Sequence, residues 1–157
     1  MPLWLKLTVC VLAAETLGGL GGLVTASSIE GWYAELRRPP GTPPNGVFGP
    51  VWALLYAAMA IAFALVWHRA EPGPAKRSAM MLFALQLALN LAWSPVFFGA
   101  QRIGLALAII LGLLVTLAVA TQRFLKLNRP AGGLLLPYLL WVGYATYLNA
   151  GFLVLNR

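Results

Sequence analysis

The stretch IGLALAIILGLLVTLAVATQ, residues 103–122, runs for twenty positions without a charged side chain. A helix rises about 1.5 Å per residue, so a helix of this length spans about 30 Å, the thickness of the hydrocarbon core of a bilayer. The stretch is rich in Leu and Ala and lacks the strict alternation of a barrel strand, which favours a helix. It therefore predicts a transmembrane helix.

Four further apolar stretches of similar length accompany this one. We predict five membrane-spanning helices, at about residues 4–26, 47–67, 79–98, 103–123 and 134–155. The first could be misread as a cleaved signal peptide, but its length and Glu15 argue against that interpretation. We expect an all-α fold: an integral membrane bundle of five transmembrane helices, forming a single domain over residues 1–157. Only the loop at 27–46 has room for structure of its own.

The composition of the whole chain excludes a water-soluble enzyme. Hydrophobic residues make up 61% of the 157 residues and charged residues only 10%, against about half and a quarter in a soluble domain. The net charge of +7 comes from basic residues in short gaps between the spans, where they contact membrane lipid. We therefore expect no nucleic-acid partner. Cys10 is the only cysteine, so no intramolecular disulfide is possible.

The distribution of Lys and Arg predicts how the bundle is oriented. Seven basic residues fall on the side of the N-terminus and four on the other side. Basic loops stay preferentially in the cytoplasm. We therefore predict a cytoplasmic N-terminus, with the first loop and the C-terminus on the far side, in a cell membrane rather than an outer membrane.

Small residues recur at every fourth position on three spans. The stripes are Gly104, Ala108 and Gly112, then Ala14, Gly18 and Gly22, and finally Ala84, Ala88 and Ala92. Small side chains let helix backbones approach closely in lipid. Each stripe serves either packing within the bundle or contact with a second copy. With three such stripes, we predict a homodimer, with the first stripe as the leading candidate and the second next.

Polar side chains inside the spans suggest a specialised interior. Gln86, Asn90 and Ser94 fall at i, i+4 and i+8 on span three, while Glu15 and Asn149 lie in spans one and five. Such residues are rare in membrane helices. They indicate either hydrogen bonds between helices or a pocket inside the bundle.

Three tryptophans lie away from the predicted membrane boundaries: Trp52, Trp93 and Trp141. An interfacial aromatic belt does not account for them. They either pack the core or line a cavity beneath the first loop, which would suit a flat apolar ligand with a few polar groups. Two helix faces would contribute to such a cavity: Asn90, Trp93 and Phe97, and Trp141, Ala145 and Leu148.

Patterns of residues typical of soluble enzymes are absent. His68 is the only histidine, so a Ser/His/Asp arrangement cannot form. The glycines at 18–22 are not followed by Lys, as a phosphate-binding loop requires. No group of residues has metal-ligand spacing, so we expect no metal and no required cofactor. His68 is either an interfacial histidine or an axial haem ligand.

Four motifs together resemble a known family. They are GWYAELRRP at 31–39, PPNGVFGPVW at 43–52, ALNLAWSPVFFG at 88–99, and PYLLW with ATYLN at 137–149. In this order on five spans, the chain resembles the TspO/MBR family of tryptophan-rich sensory proteins and translocator proteins. The resemblance covers nearly the whole chain.

The resemblance implies a five-helix bundle, commonly dimeric, that binds porphyrins such as protoporphyrin IX or haem under the first loop. Trp52 and Trp141 correspond to the pair linked with porphyrin chemistry in the family, which makes them the candidate catalytic residues. The first loop would act as a lid, through Trp32, Pro43 and Pro44. The ligand-binding positions carried over by motif are Trp52, Asn90, Trp93, Trp141, Ala145 and Leu148.

This sequence departs from the family pattern at several positions. Gly41 and Gly46 stand where the family commonly has Trp in the first loop, and Leu105 stands where many members have another Trp. Two indoles are therefore missing from the lid. Tyr147 is followed by no basic residue before Arg157, so we do not expect the sterol recognition attributed to the C-terminal segment.

Three functions follow from the resemblance. The first is a porphyrin-binding sensory or regulatory protein. The second is an enzyme that degrades the bound porphyrin with light and oxygen. The third is a tetrapyrrole transporter, although the inverted repeats and charged pathway typical of transport are missing. Stoichiometric or repeated loss of illuminated porphyrin distinguishes the first two.

Overall fold

The computed structural model describes residues 1–157 and is helical almost throughout. The helices are α1 (Leu3–Ile29), the short α2 (Trp32–Glu35), α3 (Asn45–Arg69), α4 (Pro74–Ser94), α5 (Ile103–Leu127) and α6 (Arg129–Leu155), with a π-helical turn at Pro95–Gly99. Five of these segments are long and apolar enough to cross a membrane. The predicted all-α fold with five candidate membrane spans is confirmed.

Two helices begin five residues earlier than hydropathy predicts. α4 starts at Pro74, in the first helical turn, where the missing N–H of proline costs nothing. α6 starts at Arg129, because the Asn128 side chain accepts a hydrogen bond from the Ala131 N–H at 3.0 Å and caps the helix. Hydropathy falls at the basic residues near each end, whereas the helical backbone continues through them.

The five long helices form a ring in the order α1, α3, α6, α5, α4. The π-helical turn after α4 closes the ring against α1. Side chains of α5 point inward at three- and four-residue intervals, as an amphipathic helix requires. They meet the inner faces of α3 and α6 in one core. Its α5 members include Ile110, Leu113, Leu117 and Phe124.

α1 is the long helix that buries least of its surface in the bundle. None of its residues is buried, whereas each of the other long helices has several. Its main close approach is at Gly18, where an added Cβ would lie 2.6 Å from the Tyr56 ring. The second small-residue stripe therefore serves packing within the chain at Gly18. By contrast, Gly104 and Ala108 of the first stripe are exposed on the outer surface of α5.

Candidate functional site

A cavity of about 500 Å³ lies between α1 and the rest of the bundle. One wall is formed by α1 from Glu15 to Ile29, a length of about 21 Å along the helix axis. The first half of α3 and the second half of α4 form the opposite walls, and α5 and α6 close the back. Tyr33, on the short helix α2, lies at the end nearest the first loop. The cavity therefore lies beside the long helix that has no buried residue.

Most of the predicted ligand-binding residues meet at this cavity. Phe97, on the predicted face of Asn90 and Trp93, brings these positions to seven. Six of the seven line the cavity: Trp52, Asn90, Trp93, Phe97, Ala145 and Leu148. The π-helical turn begins at Pro95 and widens the helix, and both Phe97 and Phe98 are buried there. Trp93 stacks on Phe97, with ring centroids 5.2 Å apart. Whether these residues contact a ligand stays a prediction.

Trp141 is the one predicted ligand-binding residue that does not line the cavity. Its ring lies edge-on to Phe48, at a centroid distance of 6.1 Å, and Phe48 itself is part of the wall. Trp141 therefore stands in a second layer, next to Tyr144. Trp52 is on the wall and packs against the Tyr56 and Tyr138 rings.

The three predicted lid residues, Trp32, Pro43 and Pro44, are likewise absent from the cavity wall. Trp32 packs edge-on against Phe97 from outside, at 5.8 Å. The loop contributes Tyr33 instead. The prediction named the tryptophan of this motif, whereas in the structure the neighbouring tyrosine points into the cavity.

The first loop, residues 30–44, is fastened to the end of α6. The backbone N–H of Arg37 donates to Asn156 Oδ1 at 2.9 Å, and Asn156 Nδ2 donates to the Arg37 carbonyl at 3.0 Å. The Tyr147 hydroxyl donates to the Pro40 carbonyl at 3.0 Å, and the Tyr144 hydroxyl donates to the Gly41 carbonyl. These bonds hold the loop over the far end of the bundle.

A chain of hydrogen bonds runs from the cavity wall into the core. The Tyr56 hydroxyl donates to Asn90 Oδ1 at 2.5 Å, and Asn90 Nδ2 donates to the Tyr138 hydroxyl at 2.7 Å. Tyr138 in turn donates to Gln86 Oε1 at 2.9 Å, and Gln86 Nε2 donates to Met59 Sδ at 3.8 Å. The side-chain amides of Gln86 and Asn90 on α4 thus find hydrogen-bond partners on α3 and α6. These bonds join three helices at the cavity wall.

Two further bonds tie the wall together at the level of the π-helical turn. Trp93 Nε1 donates to Asn149 Oδ1 at 2.9 Å, which joins α4 to α6. The hydroxyls of Thr25 and Ser94 are 2.8 Å apart, which joins α1 to α4. The sequence singled out Asn149 and Ser94 as polar residues within spans. The structure uses both for bonds between helices at the cavity.

Several polar groups on the wall have no hydrogen-bond partner in the chain, and a ligand could use them. They include the carboxyl group of Glu15, the hydroxyl group of Tyr33, the indole N–H of Trp52 and the side-chain oxygen of Asn45, which is buried. Burial raises the pKa of Tyr33, an effect that the nearby charge of Arg38 partly offsets. The Tyr33 hydroxyl is therefore neutral at physiological pH and can both donate and accept.

Several glycines of α1 and α3 line the cavity, and the sequence analysis did not predict this role for them. Gly19 and Gly22 lie on α1, and Gly46 and Gly49 lie on α3. A Cβ added at any of them would meet nothing within 4 Å. The three- and four-residue spacing predicts helix packing and gives no signal that the space beside the glycines is open.

Comparison with known proteins agrees with this architecture. The TspO/MBR family profile matches residues 9–155. A tryptophan-rich protein TspO from Archaeoglobus fulgidus is 38% identical over 154 residues, which cover 97% of each chain. Another from Chlorobaculum tepidum is 36% identical and covers 97% of this chain and 96% of its own. The human translocator protein is 40% identical over 137 residues, which are 83% of this chain and 80% of its own. The chain therefore belongs to the TspO/MBR family.

Proposed function

We propose that this membrane protein binds a porphyrin, such as protoporphyrin IX or haem, in the cavity beside α1 and acts as a sensory or regulatory protein. The observation that carries the proposal is the cavity itself: about 500 Å³, lined by aromatic side chains and glycines among other residues. Its volume falls within the range of small-molecule and cofactor sites. The name tryptophan-rich sensory protein, borne by a relative from Cereibacter sphaeroides, agrees with a sensory role.

The shape of the cavity supports a flat ligand. The glycines at 19, 22, 46 and 49 keep the walls on α1 and α3 free of side chains, so that a wide ring can lie against the backbone. Trp52 and Trp93 supply aromatic faces, which stabilise a stacked π-system by about 0.5–1.5 kcal/mol beyond area burial. The unpaired polar groups on the wall would contact the ring substituents.

Titration with protoporphyrin IX, read by Soret absorbance in lipid nanodiscs, tests the proposal. We expect saturable binding to the wild type and a loss of at least tenfold in affinity for Gly22→Leu, whose side chain would enter the open space. Gly133→Leu, at the start of α6 and away from the cavity, is the matched control. Absence of saturable binding, or equal affinity in both variants, would contradict the proposal.

Single aromatic substitutions refine the same experiment. Trp52→Phe keeps most of the apolar area, so affinity should fall only a few-fold, and Trp141→Phe should have a smaller effect because Trp141 stands behind Phe48. Gly46→Trp restores one of the missing indoles and should tighten binding, since the space beside Gly46 is open. Equal losses for the two Trp→Phe variants would argue against the second-layer position of Trp141.

Light- and oxygen-dependent degradation of the bound porphyrin is the second candidate function, favoured by the position of Trp52 on the cavity wall. Indole is easier to oxidise than a phenyl ring. If degradation occurs, Trp52→Phe should lower its rate far more than it lowers affinity. Loss of one porphyrin per protein under illumination would indicate a sink, and repeated turnover would indicate an enzyme.

We further propose that the protein lies in the cell membrane with its N-terminus in the cytoplasm. Lys6 lies over the Trp67 ring at 4.5 Å, and Lys76 Nζ donates to the Trp67 and Ala70 carbonyls, both at 2.9 Å. These basic side chains lie together at the end of the bundle that carries the larger number of Lys and Arg residues. A reporter active only in the cytoplasm should be silent when fused after Arg157, and activity there would reverse the orientation.

A further inference from the structure

Glu15 is the only charged residue on the wall of the cavity. It lies one position from the midpoint of α1, which has 27 residues, and so near the middle of the bilayer. No basic nitrogen lies within 4.0 Å of its carboxyl oxygens. A carboxyl group at this depth is costly unless it is paired or serves a function.

No side chain on the cavity wall donates a hydrogen bond to the Glu15 carboxyl group. The lining near it includes Gly18, Gly19 and Tyr56. The Tyr56 hydroxyl donates to Asn90 instead. The Glu15 carboxyl group is therefore available to accept a hydrogen bond from a ligand in the cavity.

A basic group lies near the opposite end of the cavity. Arg38 lies over the Tyr33 ring, with the guanidinium carbon 5.2 Å from the ring centroid, and Tyr33 lines the end nearest the first loop. Arg38 is exposed there beside Arg37. An acidic group thus lies on the cavity wall deep in the membrane, and the Arg38 guanidinium lies beside the Tyr33 ring at the loop end.

We propose that Glu15 determines the charge class and the orientation of the ligand. A flat aromatic ligand with a cationic or N–H donor group would bind with that group at Glu15, and acidic substituents would point toward Arg38 and the loop. An ion pair within the low-dielectric region of the membrane is stronger than one at an aqueous surface. This inference rests on the proposed function, in which the cavity binds a flat ligand. It adds that the site selects among flat ligands by their charge.

A pair of flat probes that differ in charge tests the proposal without a porphyrin. At neutral pH 9-aminoacridine is a cation, whereas acridine is neutral. Both are titrated by fluorescence into the wild type, Glu15→Gln and Glu30→Gln in phosphatidylcholine nanodiscs, with empty nanodiscs as the blank. Glu30→Gln removes the same charge from an exposed position just after α1.

We expect the wild type and Glu30→Gln to bind 9-aminoacridine at least tenfold more tightly than acridine, and Glu15→Gln to lose that preference. The proposal is overturned if the wild type shows no saturable 9-aminoacridine binding, if it shows no preference, or if Glu15→Gln retains the preference.

A porphyrin arm in the same samples separates this inference from the proposed function. Glu15→Gln should bind the dianionic protoporphyrin IX as tightly as the wild type or more tightly, because a negative charge has been removed. A porphyrin affinity that falls in this variant alone would overturn the orientation argued here. If no variant binds the porphyrin while the acridine preference still depends on Glu15, the proposed porphyrin function fails and the charge selection stands.

Discussion

The Tyr138 hydroxyl occupies the centre of the buried hydrogen-bond chain. It accepts from Asn90 and donates to Gln86, and its side chain is fully buried. Tyr138→Phe would keep the ring but leave both amide groups without that partner. We expect the free energy of unfolding to fall by about 1–3 kcal/mol, measured by circular dichroism in detergent.

Tyr147→Phe is the matched control for this prediction. The Tyr147 ring is 49% exposed and its hydroxyl bonds only to the loop carbonyl of Pro40. Water or a lipid headgroup can replace that bond, so the loss should be below about 1 kcal/mol. Equal losses in the two variants would mean that the buried chain contributes nothing special to stability.

Two of the five members of this hydrogen-bond network could be predicted from the sequence. The four-residue spacing of Gln86 and Asn90 identified one polar face on span three, and both side chains are indeed buried in one network. Tyr56 and Tyr138 gave no comparable signal, because a tyrosine in a membrane helix is commonly an interfacial anchor. Their role depends on which helices adjoin α4, and a single sequence does not contain that information.

At the level of helices, the contact between α1 and α3 depends on the absence of a side chain at Gly18. An added Cβ would lie 2.6 and 2.7 Å from two carbons of the Tyr56 ring, and that ring is held by its bond to Asn90. Gly18→Ala should therefore push α1 outward and lower the free energy of unfolding by about 1–3 kcal/mol.

Gly19→Ala is the neighbouring comparison. Nothing lies within 4 Å of a Cβ at Gly19, and Ala is favoured over Gly in a helix by about 0.5–1 kcal/mol. Thermal unfolding should show Gly19→Ala equal to or more stable than the wild type. A destabilised Gly19→Ala, or an unaffected Gly18→Ala, would contradict the close approach at Gly18.

The attachment of the first loop to α6 predicts its resistance to protease. Asn156 binds both the N–H and the carbonyl of Arg37. Asn156→Ala removes both bonds, each contributing about 1 kcal/mol, so trypsin cleavage after Arg37 should accelerate about tenfold or more. Asn128→Ala, which removes the cap at the opposite end of α6, should leave the rate unchanged. Equal rates in both variants would mean that Asn156 does not hold the loop.

The elements themselves were largely predictable, and their ends were not. Apolar length located all five spans, since few other structures satisfy the backbone in lipid. The predicted span at 79–98 did not anticipate the π-helical turn, whose Ala100 N–H donates to the Pro95 carbonyl at 2.8 Å. A proline within a membrane helix is compatible with a kink, a bulge or a regular helix. In this structure the segment forms a π-helical turn, and its Phe97 and Phe98 pack against α2 and α6.

At the level of the whole molecule, the sequence left open whether the aromatic residues fill a core or line a cavity. The answer depends on how α1 docks. The bond between Thr25 and Ser94 and the contact at Gly18 hold α1 at its edges, while the glycines at 19 and 22 leave space behind it. Spacing alone cannot tell a glycine face that packs from one that borders a void.

The outer surface of the bundle carries the remaining small-residue stripes. Gly104 and Ala108 on α5 are exposed, whereas Gly112 is half-buried and its added Cβ would lie 3.9 Å from Leu89. The alanine stripe at 84, 88 and 92 on α4 is exposed as well. Gly18 packs inside the chain, so a substitution there would report on the fold and not on association.

The predicted homodimer should therefore form through the exposed part of the α5 stripe. Ala108→Leu adds bulk where two backbones would approach closely, and it should shift the crosslinked population in lipid from dimer to monomer. Ala13→Leu, at an exposed position of α1, makes the same chemical change elsewhere and should leave the ratio unaltered. If Ala88→Leu alone lowers the dimer fraction, the contact lies on the α4 stripe. If the wild type is monomeric at every protein-to-lipid ratio, the prediction of a dimer is wrong.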